Sequence, residues 1–219
     1  MIVFPKHTEV NRFVAKTKFY ERAGLTEKQK TAFQTEIERI SWTHKFSPDT
    51  LNIKAGKRTP EMEVFEIRLK GQDITESTLK IIDSAIPYPI LFILTAKGGL
   101  QKAVMAYKTI KNEELKIKRT KEDKILVDKY FSTEWLSALE LAIKGNDANQ
   151  VFENFLRQIA PELGALDGSA DIDADIEKYK NSEYIERQIS MLESKLRTEP
   201  QFNKQLEIAD KIKKLKNRV

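Results

Sequence analysis

Met62-Glu63-Val64-Phe65-Glu66-Ile67-Arg68-Leu69-Lys70 is the stretch on which the fold turns. Phe65, Ile67 and Leu69 fall on one side of an extended chain, and Glu66, Arg68 and Lys70 fall on the other, the period of a strand with one buried face. Just downstream, Asp73-Ile74-Thr75-Glu76 reads as a capping box. It opens a helix whose apolar side carries Ile74, Leu79, Ile82 and Ile86, and Pro87 ends it. Ile90 to Thr95 is then continuously apolar, as in a central strand covered on both faces. Lys97-Gly98-Gly99 predicts a tight turn, and Lys102 to Ile110 an antiparallel return strand. These elements place the chain in the α+β class, with a mixed or antiparallel sheet and flanking helices.

Upstream, Thr26 and Gln29 form a second capping-box pattern. The helix it opens carries Phe33, Ile37 and Ile40 at helical spacing. From Ile40 the period becomes two, with Trp42, His44 and Phe46 alternating with Ser41, Thr43 and Lys45, which predicts a half-buried strand. Ser47-Pro48-Asp49-Thr50 turns the chain, Leu51-Asn52-Ile53 offers a short strand, and Ala55-Gly56-Lys57-Arg58 is a loop. Beyond Ile110, a further hairpin is expected from Leu115–Lys118 and Lys124–Val127. Tyr130 to Trp135 is expected to leave the sheet. Val151, Phe152, Phe155, Leu156 and Ile159 mark an amphipathic helix stopped by Pro161 and Gly164.

The last quarter of the chain differs in kind. Residues 1–163 read as the α+β domain, 164–174 as a small, acidic linker, and 175–219 as a charged helical, coiled-coil-like arm. Ile185, Ile189, Leu192 and Leu196 step as a seam for a partner helix. Phe202, Leu206, Ala209, Ile212 and Leu215 make a second stripe out of phase with the first. Thr198 reads as an N-cap at the break, so the arm is two helices or one helix kinked near Pro200. It either packs back on the domain, or it docks a partner or self-associates.

Composition excludes several chemistries. The 219 residues contain no cysteine, so disulfides, thiolate zinc sites and cysteine nucleophiles are absent. With only His7 and His44, a Ser-His-Asp arrangement has little to draw on. His44 sits on the apolar side of its strand and reads as a core residue. No Gly-rich loop has the spacing of a phosphate cradle or dinucleotide fingerprint. The longest apolar run, Pro89 to Leu94, is too short for a bilayer span, and the N-terminus lacks a signal-peptide pattern. A cytoplasmic protein is the expectation. The net charge of +5 is mild. Its distribution is not even: lysines and arginines cluster at the N-terminus, from Lys108 to Lys124, and from Lys211 to Arg218, with an acidic stretch from Asp167 to Glu177.

Two kinds of site are open on the residues. The order from Thr26 to Thr95 resembles the core of the PD-(D/E)xK nucleases. Asp49 precedes the short strand, Glu66-Ile67-Arg68 stands where an acidic-x-Lys triplet is needed, and Lys70 follows on the same face. Asp49, Glu66 and Lys70 are then the catalytic candidates, with Glu36 or Glu38 as a further ligand and Mg²⁺ as the cofactor that such a site needs. The triplet ends in arginine, which cannot serve as a tunable lysine. Otherwise no cofactor is expected, and Glu66 and Arg68 are a cross-paired solvated face. The other candidate is a phosphate-binding array: Lys116, Lys118, Arg119, Lys121 and Lys124 in the middle hairpin, and Lys211, Lys213 and Lys214 in the arm.

Further stretches carry a resemblance over nearly the whole chain. They include Phe4-Pro5-Lys6, Ile40-Ser41-Trp42, Glu63-Val64-Phe65-Glu66-Ile67, Ile86-Pro87-Tyr88-Pro89-Ile90-Leu91-Phe92, Tyr130-Phe131-Ser132-Thr133-Glu134-Trp135 and Val151 to Ile159. In that order they resemble the bacterial family called domain of unknown function 4391. The resemblance brings no catalytic residues. It implies genetic association with helicases, DNA methyltransferases and restriction-type enzymes. The expectation is a non-catalytic accessory protein of a DNA restriction, defence or DNA-processing system, binding nucleic acid or a helicase or methyltransferase partner. A divergent metal-dependent nuclease and a self-associating interaction module are the alternatives.

Overall fold

The computed structural model describes residues 4–56, 58–110, 125–165 and 172–218. The chain divides into two compact units, Met1–Ala160 and Pro161–Val219. The first is built on six strands: β1 (Glu9–Phe13), β2 (Ile37–Phe46), β3 (Met62–Leu69), β4 (Ile90–Thr95), β5 (Gln101–Ile110) and β6 (Ile125–Ser132). They lie side by side in chain order. All neighbours are antiparallel except β3 and β4, which are parallel and joined through α4 (Glu76–Ala85). The sheet is therefore mixed, as the α+β reading expects.

One face is covered by α1 (Thr17–Ala23), α2 (Glu27–Glu36) and α4. Phe19, Phe33, Leu79 and Ile82 from these helices pack on Phe65, Ile67, Leu69, Phe92 and Leu94, with Trp42 and Trp135 partly buried beside them. The alternation in β3 thus delivers its apolar residues to the core as its sequence requires. Thr26 caps α2 in a complete capping box with Gln29. At α4 the cap is Thr75, and the acidic partner is Glu36 from the end of α2: its carboxylate accepts from Thr75 N at 3.0 Å. That bond joins the two helices where the sequence suggested a local box.

Three local expectations change. Ile37 and Ile40 belong to β2, not to the helix before it, because the chain becomes extended at Ile37. Pro48–Leu51 is one helical turn, α3, capped by Ser47 through Thr50, and Leu51–Ile53 forms no strand. Tyr130, Phe131 and Ser132 are still inside β6, which pairs directly with β5. Residues 115–118 lie outside the described part.

The opposite face is covered at one end by α5 (Ala148–Ile159). Phe155 stacks on Phe46 at 5.8 Å, Phe152 packs on Tyr107 at 6.3 Å, and Phe4 meets Phe46 edge-on at 5.0 Å. His44 is half-buried in this aromatic group, 5.2 Å from the Phe4 ring, and burial pushes its pKa down. It is a packing residue, as expected, but its Nδ1 has no hydrogen-bond partner among the described residues.

The second unit contains α6 (Pro161–Ala165), α7 (Ile172–Thr198) and α8 (Phe202–Lys216). The arm is two helices. Thr198 closes α7, and Gln201 stands at the N-cap position of α8. Lys216 of α8 pairs with Glu193 of α7 at 2.9 Å. The buried residues of α8 are Ile208 and Ile212, whereas Phe202, Leu206 and Ala209 are exposed, so the inward stripe is shifted from the one that the sequence suggested. Among the described residues no helix is long and apolar enough to cross a membrane.

Candidate functional site

The end of the sheet that α5 leaves uncovered is polar. Residues that the β3 alternation turns away from the helices, Glu66 and Arg68, stand opposite Ser41 and Arg39 of β2. Together with Asn11, Arg12 and Phe13 of β1, and Thr43, they line a recess of about 270 Å³. β1 reaches this recess through a register shift between Glu9 and Arg12, with Asn11 in the left-handed region at φ 48°. Phe13 is an edge-strand ring left 63 % exposed, and the Arg39 guanidinium lies over it at 5.7 Å from the ring centre.

The charges here are arranged against stability. Arg39 and Arg68 are direct cross-strand partners. Like charges in that position repel. Among the described residues, no carboxylate lies within ion-pair distance of Arg12, Arg39 or Arg68. Of the charged side chains that strand register turns to this face, Arg39 and Arg68 stand against the single half-buried carboxylate of Glu66, a surplus of one positive charge.

Arg68 also borders a second cavity of about 490 Å³ at the carboxyl ends of the parallel pair β3 and β4. Its walls are Glu38, Lys70, Thr95, Lys97 and the turn Gly98-Gly99. Both glycines hold positive φ, 117° and 92°, which the tight turn after β4 requires. The Thr95 hydroxyl is buried there with no hydrogen-bond partner among the described residues. The Lys16 ammonium, donating to the Ile37 carbonyl, is pushed below its usual pKa by burial and then by the nearby Lys70, against Glu38. Two adjoining hollows, joined at Arg68, thus share a surplus of positive charge. Such a floor attracts polyanions.

The structure does not bring the three nuclease candidates together. Asp49 is exposed on α3, beyond the Phe46–Met62 end of the β2–β3 pair. Glu66 lies mid-strand, and Lys70 lies past Leu69 at the far end. The length of β3, about 23 Å at 3.3 Å per residue, separates Asp49 from Lys70. Glu36 is taken up by Thr75. Glu38 faces the second cavity without another carboxylate in its lining. Among the described residues no group of three or more His, Asp or Glu is placed to hold a metal ion.

Of the lysine array, Lys116, Lys118, Arg119, Lys121 and Lys124 lie outside the described residues. Lys211, Lys213 and Lys214 are exposed on the last turns of α8, where their charge also suits the helix C-terminus. Lys108, counted with the middle basic cluster on sequence grounds, is not a surface charge. It is 2 % exposed and pairs with the fully buried Asp83 at 2.5 Å. It also donates to the carbonyls of Asp83, Ile86 and Tyr88, so it closes the C-terminal end of α4. Tyr130 donates to the other oxygen of Asp83 at 2.9 Å.

Sequence reading placed Arg12 in the N-terminal basic cluster and Arg68 beside Glu66 on a solvated strand face, but it missed Arg39 and the meeting of the three at one recess. They come from strands 27 to 56 residues apart, since Arg12, Arg39 and Arg68 meet only through strand register. The one available signal was the alternation itself, which puts Arg39 and Ser41 opposite in phase to Ile40.

A family model described as Domain of unknown function (DUF4391) matches residues 2–219. No curated protein and no solved structure matches the chain.

Proposed function

This chain belongs to the DUF4391 family, and from that premise we propose that it is a non-catalytic, nucleic-acid-binding accessory protein of a bacterial DNA restriction, defence or DNA-processing system, acting in the cytoplasm. The observation that carries the reading is the open, arginine-lined end of the sheet, where Arg39 and Arg68 oppose each other with no carboxylate partner. A protein loses stability by holding like charges face to face, and a bound polyanion offsets that cost. The association with helicases and methyltransferases that the family resemblance implies gives such binding a setting. The exposed lysines of α8 add a second positive surface.

The test is fluorescence anisotropy with labelled DNA and RNA across a salt series. Affinity should fall steeply with salt, and Arg39→Ala with Arg68→Ala should flatten the dependence by about 0.7–0.9 in logarithmic slope per lost phosphate contact. Binding indifferent to salt and to these substitutions, or no binding at low salt, would sink the reading. Glu66→Ala separates it from the nuclease alternative. Here nucleic acid stays uncut by the parent with or without Mn²⁺; Mn²⁺-dependent cleavage by the parent that Glu66→Ala loses would reinstate Glu66 as a metal ligand.

A second reading concerns the arm. Tyr184 and Met191 on α7, and Phe202 and Leu206 on α8, are large apolar side chains left more than half exposed. They favour a protein partner, a helicase or methyltransferase subunit or a second copy of the chain. Light scattering of the full chain decides the last case, since a monomer at high concentration counts against self-association.

A further inference from the structure

We propose that the open sheet face takes a single strand of nucleic acid, with Phe13 as the platform for a base and the arginines as the seat of its phosphates. This rests on the nucleic-acid reading above and narrows it. A duplex offers only phosphates and groove edges to a surface, because its bases are stacked on one another. The recess offers more than charge. Phe13 presents a bare ring at the edge of β1, and Arg39 is already laid over it. A ring beside a guanidinium is the pairing on which an unstacked base settles, through stacking and cation–π attraction. Glu66, Ser41 and Thr43 line the same recess. A carboxylate among guanidiniums is a poor neighbour for phosphate, but it accepts hydrogen bonds from the exocyclic amino group of a base turned inward.

The two hollows give the strand a path. From β1 to β4 the floor crosses three strand spacings, about 14 Å at 4.8 Å each. One end is aromatic, Arg68 stands in the middle, and Lys70 and Lys97 with the unpartnered Thr95 hydroxyl stand at the other. A small anion would need only one of these hollows. A chain of alternating bases and phosphates uses both.

The experiment is anisotropy on the full chain with a labelled oligodeoxycytidylate, whose bases carry the amino group, a hairpin duplex of the same length, and a free mononucleotide as competitor. The single strand should bind at least about tenfold more tightly than the duplex. Phe13→Ala should weaken the single strand by roughly tenfold while leaving the salt slope unchanged, because stacking releases no counterions. Phe13→Trp should keep the affinity, which shows that a ring is required at this position. Equal affinity for the duplex, a silent Phe13→Ala, or full competition by the mononucleotide at the oligonucleotide's own concentration would overturn the inference while leaving the broader function intact. Failure of every nucleic acid to bind would overturn both.

Discussion

The cations of one sheet are put to two different uses. Lys108 on β5 is enclosed, and the fold supplies all that it needs: the Asp83 carboxylate, three carbonyls at the end of α4, and Tyr130 holding Asp83 from the other side. Arg39 and Arg68, at the β2–β3 end, are open, face each other, and receive nothing comparable from the fold. The first cation is consumed by structure, and the second pair stands open, opposed across the strands, with no carboxylate beside it among the described residues. Charge density along the sequence does not separate these cases. The partners that register and burial deliver do.

The sharpest way to break the comparison is Lys108→Met. It strands a fully buried carboxylate, and stability should fall by about 3–5 kcal/mol in urea unfolding. Asp83→Asn added to it should recover part of the loss. A cost below about 1 kcal/mol would mean that Lys108 is as dispensable as a surface cation.

A carboxyl on β3 extends the contrast to acids. Glu63, 5 % exposed, accepts from Trp42 Nε1 at 2.6 Å, and burial, then the neighbouring Glu61, pushes its pKa up to about 7. Below about pH 4.5 both folded and unfolded chains hold the proton. Between there and about 7 only the folded chain does. Stability should therefore be highest at the acid end of that window and decline by about 2–3 kcal/mol as pH rises through it. Glu63→Gln should flatten the decline, and Trp42 emission should titrate near neutrality in the parent alone. A profile that rises across the same window would reverse the sign of Glu63's contribution.

Thr75→Ala tests the other end of α4. Thr75 accepts from Thr78 N and is gripped by Glu36, so its removal should cost about 1 kcal/mol. Arg39→Ala and Arg68→Ala should be the mildest, within about 0.5 kcal/mol of the parent in stability. Arg68→Glu should be neutral or slightly stabilising, since it turns a like-charge pair into an opposite one. If either arginine proves as costly as Lys108, the fold uses it structurally and the open face loses its meaning as a binding surface.

The elements that sequence reasoning found best are those in which one period dominates. β3 alternates cleanly, β4 is apolar throughout, and α2 and α4 carry side chains that stop the chain from starting anywhere else. Ile37 and Ile40 misled because they satisfy helical spacing after Phe33 and still belong to a strand; the backbone turns extended at Ile37, where its pairing with Leu69 begins. The proposed site was least legible. Neighbouring positions across strands are decided by bulges at Ile37/Arg39, Trp42/His44 and Glu9/Arg12, and a single shift there changes which side chain faces which. Lys108 was misplaced for the mirror-image reason. A lysine before a run of lysines looks like surface until its carboxylate partner, from a helix 25 residues earlier, is seen.

The order of the strands has a consequence in time. Each strand of the sheet lies beside the one that was synthesised just before it. No strand must wait for a partner made later than its immediate successor, although helices fill three of the links: α1 and α2 between β1 and β2, α3 between β2 and β3, and α4 between β3 and β4. Contacts that close short loops form early at little entropic cost. As the chain leaves the ribosome, β1 and β2 can pair before β3 exists, so the two strands that carry Phe13 and Arg39 can meet before Arg68 has been made.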